Sequence, residues 1–290
     1  MARTAVIGAG GIGCLIAAYA HDCGHAVTLC ARTPAPVLRL EQDGVTRDIA
    51  LRIESEPENV GPVDWVVIAT KAQDTEGTAP WLQRLVGAET IVVVAQNGIG
   101  HEDRVRPLVG EAPILPALIY TAVERIGPAH VIYHSGNGMS VPEGAHGAAF
   151  AALFAGSPLP VTPTPDFTKA VWRKLLSNTA ANPITALTLR RMDVMHEAEI
   201  LALARELLLE TVATARAAGV DLSEADADEV LALHQTYDIN GGTSMLYDRL
   251  AGRPLEHEYL TGAIVAIAER QGVAVPRNRM ILTLLRALRP

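Results

Sequence analysis

Cysteine, aromatic residues and clustered positive charge are all scarce in this chain, and each scarcity closes off a class of protein. The three cysteines (Cys14, Cys23, Cys30) form no C-x-x-C pair and leave an odd count, so neither a disulfide framework nor a thiolate zinc site is expected. There is no N-x-[ST] acceptor either, and reduced thiols in a cytoplasmic protein are the simplest reading. Aromatics make up 4% of the residues, which fits helices packed on a parallel sheet better than an aromatic-rich β-sandwich. The formal charge is −8 with no block of five basic residues, which argues against a nucleic-acid partner or an anionic membrane surface. No uncharged run reaches the roughly 18 apolar residues of a membrane span. Residues 5–20 imitate a signal-peptide core, but Gly8, Gly10, Gly11 and Gly13 break the run and a strand pattern follows. Several catalytic signatures are missing too. His196-Glu197 has no second histidine at zinc spacing, His21, His25, His130 and His134 do not cluster, and neither a G-x-S-x-G elbow nor a P-loop occurs. No metal is expected.

What is present reads as two domains. Of the 290 residues, 49% are hydrophobic and 19% charged, enough apolar material for large cores. Strands are predicted at 4–7, 26–30, 65–69 and 90–95, and a helix at 12–23. The strands are Val- and Ile-rich without alternation, as strands buried on both faces are. Strand–helix–strand order predicts right-handed crossovers and a doubly wound sheet. Strand-like stretches continue from 114 to 140, including 130–134. Residues 156–166 carry prolines at 158, 160, 163 and 165, which suits a linker or an edge strand with its approach loop. Helices are predicted beyond it, at 169–181, 197–218, 224–234, 244–250, 256–271 and 278–288. The expected fold is α/β, with an N-terminal Rossmann-type doubly wound sheet in residues 1–165 and an all-α domain in 166–290.

Gly8-Ala9-Gly10-Gly11-Ile12-Gly13 spells G-x-G-x-x-G. The pattern alone is weak, but here it follows a strand, opens a helix and precedes a second strand. Gly8 permits the tight turn, Gly10 lets backbone approach a pyrophosphate, and Gly13 lets helix and strand pack closely. The alternative is a glycine-rich turn that binds nothing. After the second strand the chain reads Thr28-Leu29-Cys30-Ala31-Arg32, with no acid to hold a ribose 2′-hydroxyl. Arg32 sits where a 2′-phosphate would arrive, which favours NADP over NAD, unless it is merely a solvated loop charge. Lys71 and Asn97 follow the next two strands at their carboxyl ends, where ligands of open α/β sheets bind. Turn chemistry explains either equally well.

In the helical half, Lys174, Asn178 and Asn182 are four apart. They line the edge of a face made by Val171, Trp172, Leu175, Leu176, Thr179 and Ala180. A cation and two amides so aligned can meet one polar ligand, and a lysine can serve as general acid. The competing reading is a solvated flank near a helix end broken by Pro183. Glu256 falls near the middle of the face set by Tyr259, Leu260, Ala263, Ile264 and Ile267. It either complements the dipole of its own helix or binds a ligand. Ser244 reads as an N-cap.

These residues together make the chain resemble the ketopantoate reductase (2-dehydropantoate 2-reductase) family over essentially its full length. The resemblance rests on the glycine turn, Thr70-Lys71-Ala72, Gln96-Asn97-Gly98-Ile99-Gly100, Trp172-Arg173-Lys174-Leu175 with Asn178 and Asn182-Pro183, Thr243-Ser244-Met245-Leu246-Tyr247-Asp248, Glu256, and Gly272-Val273-Ala274-Val275-Pro276. It implies NADPH in a cleft between two domains and hydride delivery to the C2 carbonyl of a 2-oxo acid. Lys174 then matches the proton donor. Asn97, Asn178, Asn182 and Ser244 match substrate-holding positions, with Asn97 also touching the cofactor. Glu256 matches an acid contacting substrate or cofactor, and Arg32 and Lys71 match basic residues near the adenosine phosphate. Two departures stand out. Met192 falls where the family often has another substrate-binding asparagine, and Gln73-Asp74 follows Ala72 where a glutamine one place later is frequent. The first leaves the identity of the 2-oxo acid open. Alternatives are a same-fold reductase of another 2-oxo acid or imine, and a non-catalytic NADP sensor. The apolar helical domain is compatible with a homodimer.

Overall fold

A computed structural model describes residues 1–288; the last two residues of the helical domain expected at 166–290 lie outside the described residues. The chain opens with β1 (Arg3–Ile7), α1 (Gly11–Asp22) and β2 (Ala26–Cys30), followed by three short strands, β3 (Leu38–Gln42), β4 (Val45–Ile49) and β5 (Arg52–Glu54). Next come β6 (Trp65–Ile68), α2 (Ala79–Leu85), β7 (Ile91–Val94), α3 (His101–Val109) and β8 (Ile114–Pro116). The long strands β9 (Leu118–Gly127) and β10 (His130–Pro142), α4 (Ala145–Leu153) and β11 (Val161–Thr164) complete a first unit, Met1–Phe167.

Six strands form one parallel sheet in the order β5-β2-β1-β6-β7-β8. The chain runs outward from β1 in one direction, then restarts at β6 and runs outward in the other. The switch point therefore lies between β1 and β6, where an open α/β sheet leaves a crevice at its carboxyl edge. Both faces of the sheet are buried, as the unalternating strands predict. Ala5, Ile7, Val66 and Ile68 pack with Trp81, Leu82 and Val105 of α2 and α3, while Val6, Val67 and Val93 pack with α1.

A second sheet, not predicted, joins β11, β10, β3 and β4, with β9 paired to β10. Its hairpin turns at Asp43-Gly44, both at positive φ (51° and 74°), the geometry that Asp-Gly favours in a two-residue hairpin. Helix α1 packs against strands of both sheets, which is why its residues from Gly13 to Ala20 are all buried. The proline-rich segment 156–166 resolves as an edge strand. β11 pairs with β10 alone, where Pro163 costs no interior ladder bond.

The second unit, from Thr168 onward, is helical. α5 (Phe167–Thr188) begins on the last residue of the first unit; α6 (Ala198–Ala217), α7 (Glu224–Gln235), α8 (Ser244–Leu250), α9 (Thr261–Gln271) and α10 (Pro276–Ala287) follow. Two expectations are corrected here. α5 does not stop at Pro183 but runs on to Thr188. Every residue from Thr179 to Ala186 is buried, so packing outweighs the hydrogen bond that proline forfeits. Nor does α9 begin at 256. Residues 257–260 form a turn, with the Tyr259 N–H on the Glu256 carbonyl (3.1 Å) and Gly262 N–H on the His257 carbonyl (2.8 Å). The buried side of α9 is accordingly Thr261, Gly262, Ile264, Val265 and Ala268, with Ala263 and Ile267 only partly covered.

The β1–α1 turn is the tightest backbone contact of the first unit. A Cβ on Gly13 would lie 1.9 Å from the Gly8 carbonyl oxygen, whereas one on Gly10 would meet nothing within 4 Å. Gly13→Ala is expected to lower the unfolding free energy in urea by at least about 2 kcal/mol. Gly10→Ala should change it by no more than about 1 kcal/mol. Equal losses would show that the turn does not have this geometry.

Candidate active site

Four expected ligand-binding segments of the first unit follow four adjacent strands at their carboxyl ends: Arg32 after β2, the glycine turn after β1, Lys71 after β6 and Asn97 after β7. The turn lies directly on the switch point, because a Cβ on Gly8 (φ 112°) would come within 2.9 Å of the Thr70 nitrogen beyond β6. Gly11 is crowded from another side, its Cβ position 2.6 Å from the Val123 carbonyl oxygen. Gly10 alone among the turn's glycines faces open space, and as N-cap of α1 it provides no side-chain hydrogen bond. The first N–H groups of α1, at Gly11, Ile12 and Gly13, thus end the helix without a side-chain cap, a place suited to an anion. Ala9 and Ile12 are partly buried beside it. Arg32 is exposed, its side chain 88% accessible, with Asp74 at 3.8 Å. So loose an ion pair leaves the guanidinium available. These features fit a dinucleotide's phosphates.

Gln96, to which the sequence reading gave no role of its own, ties this edge together. It is 4% exposed. Its amide nitrogen donates to the Thr70 carbonyl (3.1 Å), the Lys71 carbonyl (3.4 Å) and Thr75 Oγ1 (2.9 Å). His101 Nε2 lies 2.9 Å from the Gln96 carbonyl oxygen. One buried amide therefore locks the chain entering Lys71 to the chain entering Asn97.

In the second unit, Lys174, Asn178 and Asn182 line one edge of α5, whose apolar face (Val171, Trp172, Leu175, Leu176, Thr179, Ala180) is buried as expected. Lys174 is partly buried. Desolvation pushes its ammonium down to about 8, against the opposing pull of the Glu256 carboxylate. Glu256 is 4% exposed. Because it sits in the chain before α9 and not on that helix, its expected partnership with its own helix dipole does not arise. Asn182 Nδ2 reaches toward Asn178 Oδ1 at 3.5 Å, and the buried Asn178 Nδ2 has no hydrogen-bond partner. A buried donor left open is costly unless something fills it.

Ser244 is not the N-cap of α8. Thr243 is, accepting from the Leu246 N–H (3.2 Å), while its hydroxyl also bonds Thr185 of α5 at 2.7 Å. Ser244 is the first, exposed residue of α8. Met192 is buried, its N–H on the Gly241 carbonyl (2.9 Å).

The model of "Ketopantoate reductase PanE/ApbA" matches residues 4–145, and that of its C-terminal part matches residues 166–289. The chain belongs to the ketopantoate reductase family. It is accordingly an oxidoreductase. It is 37% identical to the 2-dehydropantoate 2-reductase of Caulobacter vibrioides over 99% of both chains. To that of Mycobacterium tuberculosis it is 35% identical, over 98% of this chain and 96% of the relative. A dimeric ketopantoate reductase from Staphylococcus aureus superposes with a TM-score of 0.89 over 98% of each chain at 28% identity.

Other chemistries find little here. Burial pushes the thiols of Cys14 and Cys30 up to about 12, far from nucleophilic use. Among the described residues no trio of His, Cys, Asp or Glu could hold a metal ion, and no helix is long and apolar enough to cross a membrane.

Holding Lys174 where its charge is disfavoured costs stability. Below about 8 folded and unfolded chains both keep the proton, and the folded state bears the full penalty. Between there and the ordinary lysine value near ~10.4 the unfolded chain binds more protons, so the penalty fades as pH rises. Lys174→Met is therefore expected to raise the urea unfolding free energy at pH 7 by about 1–3 kcal/mol, an advantage that shrinks by pH 10. A stability difference between variant and parent that stays constant from pH 7 to pH 10 would show that the amine is comfortably solvated.

Proposed function

We propose that this enzyme reduces a 2-oxo acid to the 2-hydroxy acid with NADPH, and that its substrate is 2-dehydropantoate, the compound named for its relatives in C. vibrioides and M. tuberculosis. The observation that carries the reading is a desolvated ammonium at Lys174 beside Glu256, on a helix edge where Asn178 offers an open buried donor.

Residues 1–165 form the dinucleotide-binding domain and residues 166–290 the substrate domain. In the first, the amides of the Gly8–Gly13 turn take the pyrophosphate, Arg32 and Lys71 the adenosine phosphate, and Asn97 the nicotinamide end. Bound NADPH supplies the hydride. In the second, Asn178, Asn182 and Ser244 hold the oxo acid, with Asn97 as a further contact. As the C2 carbonyl oxygen gains negative charge, Lys174 stabilises it and passes it a proton from Nζ. An ammonium near 8 is charged at neutral pH yet a far better acid than a solvated lysine. Glu256 sustains that charge and contacts substrate or cofactor.

A second substrate is favoured by one observation. The buried Met192 offers no side-chain donor at the place where the family resemblance implies a substrate-binding asparagine, so a less polar 2-oxo acid fits as a rival. NADPH oxidation with 2-dehydropantoate beside a panel of 2-oxo acids decides between them, and cofactor binding without turnover of any would indicate a sensor. We also infer a cytoplasmic homodimer, following the dimeric S. aureus neighbour.

Lys174→Ala is expected to lower kcat by at least about a hundredfold, and kcat/KM of the parent should fall as pH rises through about 8. Near-normal turnover in the variant would remove the proton-donor role. Arg32→Ala should abolish a preference for NADPH over NADH. An unchanged ratio of the two kcat/KM values would take the 2′-phosphate away from that side chain.

A further inference from the structure

Two residues of α5 that face away from the proposed substrate edge are tied to α7. Arg173, directly before Lys174, donates from Nη1 to Asp226 Oδ1 and from Nη2 to Glu229 Oε2, the latter at 2.6 Å. Ser177, directly before Asn178, has its hydroxyl 2.9 Å from His234 Nε2. The α7 ends of both ties are fixed. Asp226 closes the capping box of α7, accepting from the Ser223 N–H and hydroxyl at 2.9 Å each. His234 is fully buried with its ring 5.7 Å from that of Tyr237.

From this we propose that α7 braces the rotation of α5 about its axis, with Arg173, Ser177 and His234 as positioning residues for the Lys174 amine. The proposal rests on the reading of Lys174 as proton donor. Neighbouring residues on a helix point about 100° apart, so a grip on residues 173 and 177 fixes the direction of residues 174 and 178. A rotation of ~20° would carry a side-chain end at ~5–6 Å from the axis by about 2 Å, and ~1 Å of misplacement can cost a hundredfold in rate. The brace is poorly explained as packing. Burial pushes the His234 imidazole down to about 4, so it stays neutral, and its Nδ1 lies buried with no hydrogen-bond partner. An apolar side chain would avoid that unpaired nitrogen. The Arg173–Glu229 pair is solvent-exposed and contributes little to stability, and the buried Asp226 keeps the Ser223 N–H and hydroxyl when Arg173 is replaced, so the fold is expected to stay in place.

The chain has only three lysines, Lys71, Lys169 and Lys174, which makes the amine directly observable. Protein labelled with 13C at lysine Cε gives three resonances, and that of Lys174 is the one lost in Lys174→Arg. Its titration is followed in the parent, Arg173→Gln, Ser177→Ala, His234→Leu and His234→Gln, beside kcat at pH 7, the NADPH Kd and Tm. Expected in Arg173→Gln, Ser177→Ala and His234→Leu is an upward move of the Lys174 midpoint and a kcat lowered about tenfold, with NADPH Kd within a factor of two. His234→Gln, which keeps a polar atom toward Ser177, should recover most of both. Folded variants with an unmoved Lys174 midpoint overturn the brace, whether or not the enzyme turns over. A moved midpoint in a protein that reduces no 2-oxo acid supports the brace and removes the proposed reaction instead.

Discussion

A lysine amine pressed into protein resists its own charge, and the helical unit is arranged around that resistance. Lys174 keeps its proton near neutrality because Glu256 opposes the desolvation. Glu256 reaches it from a non-helical stretch, which lets a buried carboxylate sit where no regular helix face would put it. The same need accounts for the length of α5. A helix that stopped at Pro183 would lose the buried Ile184, Thr185 and Ala186, and with them the Thr185–Thr243 bond at the start of α8.

The first unit answers a different constraint, backbone against backbone. Gly8 and Gly13 touch each other and the chain leaving β6 at the point where strand order reverses. Side chains are excluded from these contacts, so the turn is rigid without hydrogen-bonding groups of its own to distract from a ligand. Gln96 then does by hydrogen bonding what the glycines do by absence, fixing the exits of β6 and β7 to one another. The residues proposed to meet a ligand, Arg32, Lys71 and Asn97, stand at the ends of this frame.

Local signals explain which parts were legible in the sequence. The glycine turn, the uniform Val/Ile strands and the i, i+4 stripe on α5 each announce themselves within a dozen residues. The β3–β4 hairpin also had a signal, Asp43-Gly44, but its strands are half exposed and broken by charge, and went unread. Ser244 and Thr243 are both good capping types, and only the structure tells which one closes the helix. The face of Tyr259, Leu260, Ala263, Ile264 and Ile267 suggests a helix from Glu256, whereas the four-residue turn 257–260 separates it from α9. Gln96, Ser177 and His234 could not be read at all, since their partners lie 21 to 57 residues away and nothing local distinguishes them from ordinary polar residues.

Several of these features lower stability: the glycines of the turn, the desolvated Lys174, the open donor of Asn178 and the unpaired nitrogen of His234. A fold can keep such features only if packing elsewhere offsets them. In the first unit the offset is visible. α1 is buried against both sheets, and Phe150 meets Trp65 in a tilted contact and Phe154 edge-on, each at 5.3 Å between centroids. In the second unit it comes from the apolar faces of the helices, with Leu175, Leu176, Leu207 and Leu208 almost wholly enclosed. The division of labour is therefore chemical. Apolar residues hold each unit together, while the polar residues buried among them are retained for position and charge at a cost in stability.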